Sequence, residues 1–294
     1  MNVSMMDSYN LAWKLAYSIH GLTPSAANDK SDPILQTYHT ERHTIAEELI
    51  AFDRDFSSMF SGKIGPSEDG VGGLTHEEFL EVFSRGNGFT SGCGIEYPEN
   101  IAVNRDSNYV NPISGNDYLS GLLRPGRRLL NVRLVRHADG YRRDLQDGKI
   151  NSIFGYDMEY NTNNIPDFAS TGRFRILCLT STDLLNPQGV SAKTLNALGN
   201  VILRFPPSVI EQVVIHPRLE RDFMWNDIPS EIKRYSEMAF YSGFELDDVY
   251  KTYGVNSVEG ALAVVRPDGY VGIVASLQDV GRLEKFLESL IRTV

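Results

Sequence analysis

The sequence is poor in cysteine. Its 294 residues hold two, Cys93 and Cys178, far apart in the chain. With no CxxC pair and no cluster at zinc-ligand spacing, neither a dithiol redox centre nor a disulfide-stapled scaffold is expected. Long apolar runs are missing as well, and no stretch approaches the roughly 18 residues that cross a membrane as a helix. Basic charge is scarce: Lys and Arg number 28 against 38 Asp and Glu, for a net charge of −10. That balance is the reverse of the basic face with which proteins hold nucleic acid. Asp7, Asn10 and Lys14 interrupt any apolar core of a signal peptide. The expectation is a cytoplasmic protein with neither a membrane nor a nucleic-acid partner. No GxGxxG turn is present, and Gly70–Gly73 lacks the Lys-Ser/Thr that completes a phosphate loop.

What is there is ordinary globular composition, with 41% hydrophobic and 22% charged residues. Leu11, Leu15 and Ile19 recur at spacing four and predict a helix over 7–20, capped by Asp7 or Ser8 and ended by Gly21 and Pro24. A second helix is expected over 34–60, with Leu35, Tyr38, Ile45, Leu49 and Phe52 on its buried side. Residues 75–86 open on a Thr-x-x-Glu capping box and predict a third. Gly, Asn, Ser and Pro dominate from Gly86 to Gly121, so a domain boundary is placed near residue 118. Beyond it, strands are expected over 128–136, 174–179 and 210–215, and helices over 190–203 and 230–241. Residues 261–266 and 270–275 flank Pro267-Asp268-Gly269 as a hairpin, and a closing helix runs over 277–294. The order strand, helix, strand, helix, hairpin, helix describes a three-layer α/β domain of thioredoxin type.

A helix start exposes unpaired N–H groups and the positive end of the helix dipole, and so favours negative charge. Met1 to Met5 lie where such a start would be, and Asn2 adds both a donor and an acceptor. Other combinations read as ordinary structure. His39-x-Glu41-x-His43 has two histidines at i and i+4 but no third ligand, so no metal site is expected. His137-Ala138-Asp139 has no nucleophile beside it, and Glu77, Glu78 and Glu81 form a solvated helix face. Cys178 sits inside FRILCL as a small buried hydrophobe.

The stretch Met1-Asn2-x-Ser4-x-x-Asp7-Ser8-x-Asn10-Leu11-Ala12-Trp13-Lys14-Leu15-Ala16 resembles the segment that closes over the flavin ring in FAD-dependent aromatic hydroxylases. Tyr38-x-x-Glu41-Arg42, Ser91–Tyr97, Arg124-Pro125-Gly126-Arg127, Gly172–Ile176 and Arg266–Val271 narrow the resemblance to the phenol 2-monooxygenase branch. The resemblance implies that residues 1–118 are the C-terminal part of a FAD-binding monooxygenase domain. It implies that residues 119–294 are a thioredoxin-like domain, without CxxC, that forms a homodimer. Met1 and Asn2 would contact the pyrimidine edge of FAD, whereas Asp7, Asn10 and Trp13 would serve the helix itself. The implied reaction is hydroxylation of a phenol with NADPH and O2.

The family's dinucleotide fingerprint and its substrate-side residues would precede Met1, so no catalytic residue is assigned in this sequence. Met1 is then expected to be an internal methionine, the chain a fragment inactive alone, and the apolar faces of residues 1–60 partly uncovered. Two alternatives carry forward: a non-catalytic thioredoxin-like interaction module, and, within the enzymes, a hydroxybenzoate hydroxylase.

Overall fold

A computed structural model describes residues 2–27, 29–61, 94–114, 122–130, 132–136, 160–161, 171–217, 240–243 and 248–294, with a few single positions between them. Helix α1 spans Asn2–Ile19 and α2 spans Pro33–Ser61. Strands β1 (Arg133–Arg136), β2 (Tyr160–Asn161) and β3 (Phe174–Leu179) follow, then α3 (Val190–Ile202) and β4 (Ile210–His216). The chain continues through β5 (Phe240–Gly243), α4 (Val249–Tyr253), β6 (Ala261–Val265), β7 (Val271–Ala275) and α5 (Val280–Leu290). The sheet order is β2-β1-β5-β4-β3-β6-β7.

The four strands β4-β3-β6-β7 are the thioredoxin arrangement that the element order predicts. Strand β3 is central, parallel to β4 on one side and antiparallel to β6 on the other. Both its faces are covered, so it needs a continuous apolar run, and all six residues of FRILCL are buried. Alternation sorts the strand residues into two cores. Phe174, Ile176, Cys178, Val214, Leu262 and Val264 pack with α3 and α5 on one face, where Trp13, Tyr17 and Ile34 of the two long helices join them. Leu177, Leu179, Val213, Ile215, Ala263 and Val265 pack on the other face with Val249, Tyr250 and Tyr253 of α4 and with Ile113 and Leu122.

Local chemistry fixes the element ends. Helix α5 starts at Val280 because the Asp279 carboxylate accepts the Arg282 N–H, and Val280, Leu283, Phe286, Leu287 and Leu290 form its buried stripe. Helix α3 has glycine at its cap position, and Asp183 substitutes for the missing cap by accepting bonds from the backbone N–H groups of Val190 and Ser191. The outer edge of β7 is bonded at its start and the residues flanking the strand are bonded as well. Val271 exchanges bonds with Gly126 and Arg127, Gly272 O accepts from Asn104, Gly269 O from Leu129, and Tyr109 Oη accepts from Ser276 N.

Several expectations need correction. The hydrophobic pattern put Leu11, Leu15 and Ile19 on the buried side of the first helix. Instead Asn10, Trp13, Lys14, Tyr17 and Ser18 are buried, while Leu15 and Ile19 are exposed. In α2 the buried residues are Ile34, Thr37, Glu41, Arg42 and Ile45, with Leu35, Tyr38, Leu49 and Phe52 only half-buried. The expected helix over 230–241 holds at residues 230 and 234, but Phe240 already belongs to β5. The short elements β2 and α4 were not anticipated, being too short to show a period. Residues 77, 80 and 86 are helical within the expected 75–86, whereas Thr75 and position 118 lie outside the described residues.

Candidate functional site

Helix α1 begins at Asn2, well ahead of the expected cap at Asp7 or Ser8. Neither side chain is available to cap. Asp7 accepts the Arg42 Nε–H at 2.5 Å, and the Ser8 hydroxyl bonds back to the Ser4 carbonyl at 3.0 Å, a habit of serines inside helices. Met1 lies outside the described residues, as does the side chain of Asn2. The N–H groups of residues 2–5 form the first turn and have no acceptor within the helix. Ser4 and Met5 in that turn are exposed.

One turn further on, α1 enters a buried charged cluster that the hydrophobic pattern gave no hint of. Arg266, at the start of the β6–β7 turn, donates to both oxygens of Glu41 at 2.6 and 2.9 Å and to both oxygens of Asp268 at 3.1 and 2.6 Å. Lys14 Nζ donates to Glu41 at 2.8 Å and to Asn10 Oδ1 at 2.7 Å. The Asn10 amide bridges the two carboxylates, to Glu41 at 2.8 Å and Asp268 at 3.2 Å. Trp13 Nε1 donates to Asp268 at 3.0 Å. Arg42 extends the cluster to Tyr97 Oη at 3.0 Å, and the Tyr97 ring stacks on Tyr270 with centroids 4.2 Å apart. Lys14, Glu41 and Arg266 have no measurable exposure.

Burial disfavours charge on each of these groups, and their neighbours decide the outcome. Glu41 faces Arg266 and Lys14 together and accepts the Asn10 amide; these outweigh burial and hold its carboxyl down at about 2. Lys14 has a carboxylate on one side but Arg266 on the other. Burial and that repulsion push its ammonium down to about 8 against the pull of Glu41 and Asp268. Arg266 is held above its ordinary value, because the two carboxylates outweigh its burial. With three cations, Lys14, Arg42 and Arg266, against three anions, Asp7, Glu41 and Asp268, the cluster is balanced. Its centre of Lys14, Glu41, Arg266 and Asp268 is buried, while Asp7 at the margin is 37% exposed, and the cluster acts as a joint between elements.

The joint ties α1 and α2 to the hairpin of the thioredoxin-like domain. Around it, Trp13, Tyr17 and Phe174 meet edge to face with centroids 5.5 to 5.7 Å apart, and Tyr9 Oη bonds the Pro267 carbonyl at 2.8 Å. Segments far apart in sequence, Asn10–Lys14, Glu41–Arg42, Tyr97 and Arg266–Tyr270, therefore form one site. Each lay within a stretch singled out by resemblance, but the pairing itself was not foreseen. Its one sequence signal is polar residues at helix positions adjoining tryptophan.

The other candidates do not converge. Glu41 points into the joint, whereas His39 and His43 lie on the exposed side of α2 with rings 4.9 Å apart, and His43 sits 3.6 Å from Glu47. Cys178 is buried and free, and burial pushes its thiol up. His137, Asp139, Cys93, Glu78 and Glu81 lie outside the described residues.

Comparison with known proteins matches residues 163–293 to the phenol hydroxylase C-terminal dimerisation domain and residues 1–53 to a FAD binding domain. A phenol 2-monooxygenase of Aspergillus fumigatus is 29% identical over 99% of this chain and 44% of its own length. A 3-hydroxybenzoate 4-monooxygenase of Comamonas testosteroni is 28% identical over 99% of this chain and 43% of its own. Among solved structures, aklavinone-11 hydroxylase with FAD and aklavinone aligns over 98% of this chain and 39% of its own, with 18% identity and a TM-score of 0.49. The chain thus spans less than half the length of the curated relatives it matches.

Proposed function

This chain belongs to the FAD-dependent monooxygenases related to phenol 2-monooxygenase, and on that premise we propose that it forms the C-terminal part of an enzyme hydroxylating phenolic aromatics with NADPH and O2. Bound FAD supplies the activation of oxygen. The chain's own residues orient and enclose. In this reading Met1 and Asn2 border the pyrimidine edge of the flavin, where the positive end of the α1 dipole offsets negative charge. Residues 1–118 complete the flavin domain, and residues 119–294 hold two subunits together in a cytoplasmic homodimer. Phenol is the substrate class, and hydroxybenzoate is the alternative that the Comamonas testosteroni relative favours.

The observation that carries the reading is the buried joint. It fixes the flavin-facing helix to the dimerisation domain through Lys14, Glu41, Arg266 and Asp268, so subunit contacts and flavin edge share one rigid support. Met5, Leu15 and Ile19 lie on the opposite side of α1 and are exposed, which supports further packing of that helix against the rest of a flavin domain.

The test is reconstitution. The chain is co-expressed with the amino-terminal portion of the Aspergillus fumigatus relative, and FAD retention and phenol-stimulated NADPH oxidation are measured. Flavin bound only by the pair, with phenol-dependent turnover, is expected. The isolated chain should retain no flavin, and turnover by it alone would refute its assigned part. A folded pair that never retains flavin would favour the interaction module.

A further inference from the structure

A pocket of about 220 Å³ opens between residues 96–111, Arg124 and Pro125, and Arg282 in the first turn of α5. Three guanidinium groups line it: Arg105, Arg124 and Arg282. That is unusual in a chain of net charge −10. The two carboxylates present are already engaged. Glu96 Oε1 lies 2.9 Å from Arg105 and 3.7 Å from Arg124, so its hydrogen bond goes to Arg105. The Arg124 guanidinium therefore makes no hydrogen bond among the described residues beyond its loose ion pair with Glu96, and it is partly exposed in the pocket. Asp106 is 3.3 Å from Arg282.

Arg282 is held in place more firmly than an ordinary surface arginine. Its guanidinium donates to Asn104 Oδ1 at 2.7 Å and stacks 3.9 Å from the centre of the Tyr109 ring. Its Nε is buried without an acceptor. Arg105 is fixed just as firmly by the carbonyls of Tyr97 and Pro125. The Asn111 carbonyl oxygen accepts from Ile113 N at 2.9 Å, which leaves its amide hydrogens to the pocket. Donors thus outnumber acceptors in a preorganised, partly desolvated recess, the condition under which anions are bound.

We propose that the pocket formed by Arg105, Arg124 and Arg282 binds a small oxyanion, the phosphate or carboxylate group of a small molecule. Arg124, held only by its loose ion pair with Glu96, is the adjustable cation, Arg282 the fixed one, and Asn111 an added donor. Burial, with Arg124 nearby, holds the Arg105 guanidinium below its ordinary pKa despite Glu96 and Glu99, and a bound anion would oppose that shift. The assignment does not depend on flavin chemistry.

The full chain is titrated with inorganic phosphate and, separately, with benzoate at constant ionic strength set by chloride. Thermal unfolding and, for phosphate, the ³¹P linewidth are followed. A saturable rise in unfolding temperature with one or both anions is expected, and which of them acts identifies the group. Arg124→Gln, whose side chain holds no hydrogen bond, should unfold like the wild type without ligand and bind about tenfold more weakly, the usual loss of one charge-assisted bond. Arg282→Gln should lose binding as well, and Arg124→Gln decides the matter if that variant does not fold. No response beyond chloride, or an unchanged response in Arg124→Gln, overturns the site.

Discussion

Replacing Glu41 by Gln tests the joint most directly. Glu41 takes two bonds from Arg266, at 2.6 and 2.9 Å, and one each from Lys14 at 2.8 Å, Asn10 at 2.8 Å and Asn100 at 3.1 Å. Gln keeps the shape but brings one acceptor and two donors, and its amide would face groups that are themselves donors. Arg266 would keep only Asp268, and Lys14 would be left buried with no carboxylate in contact. Breaking a buried pair in this way costs about 3–5 kcal/mol, most of it from the stranded cations. At roughly 2–4 °C per kcal/mol for a chain of this size, the unfolding temperature should fall by about 6–20 °C. Thermal unfolding followed by circular dichroism at pH 7 measures it. Glu41→Gln combined with Arg266→Met should cost less than the sum of the two single changes, because the stranded guanidinium is gone. An unfolding temperature within about 2 °C of the wild type, or strict additivity in that cycle, would refute the reasoning.

Three further outcomes follow from the same geometry. The Glu41 carboxyl stands at about 2 in the fold against an ordinary 4.5. The stabilisation this gives, on the order of 3 kcal/mol, is present above pH 4.5 and lost as pH falls towards 2, so Glu41→Gln should flatten the acid limb of urea unfolding midpoints. Lys14 runs the other way. Its ammonium stands at about 8 against 10.5, so the unfolded chain holds the proton more tightly and stability should rise between pH 8 and 10.5, a slope that Lys14→Met removes. Gly126 has φ +89°, and a methyl there would press on the Tyr97 carbonyl and the Arg105 guanidinium. Gly126→Ala should therefore lower stability by more than about 1 kcal/mol in the same assay.

The thioredoxin-like half was legible in the sequence because its elements obey simple periods. FRILCL is buried on both faces, Pro267-Asp268-Gly269 marks the hairpin, and the last helix carries an apolar stripe, so β3, β6, β7 and α5 fall close to the expected positions. The buried polar residues of the first two helices were missed for one physical reason, although Ile45 is buried as expected. Apolar periodicity assumes that the buried face is the oily one, yet α1 and α2 bury Lys14, Glu41 and Arg42 against partners supplied by residues 97 and 266–268. A charge whose partner lies two hundred residues away in sequence looks like a surface charge. Resemblance singled out these residues without saying what they touch, and cast Asn10 and Trp13 as structural. Their bonds run to Glu41 on α2 and Asp268 in the hairpin, so they serve the joint between elements and not the helix alone.

The covered margin of β7 bears on how two copies of such a domain can meet. A strand with free amides and carbonyls invites a second copy to continue the sheet across a twofold axis. Here Gly126, Arg127 and Asn104 have already taken outward groups of Val271 and Gly272, and Leu129 and Tyr109 hold Gly269 and Ser276 on either side of the strand. A visiting strand would have to displace these bonds to reach the start of β7, so continuing the sheet there would cost contacts that the fold already holds.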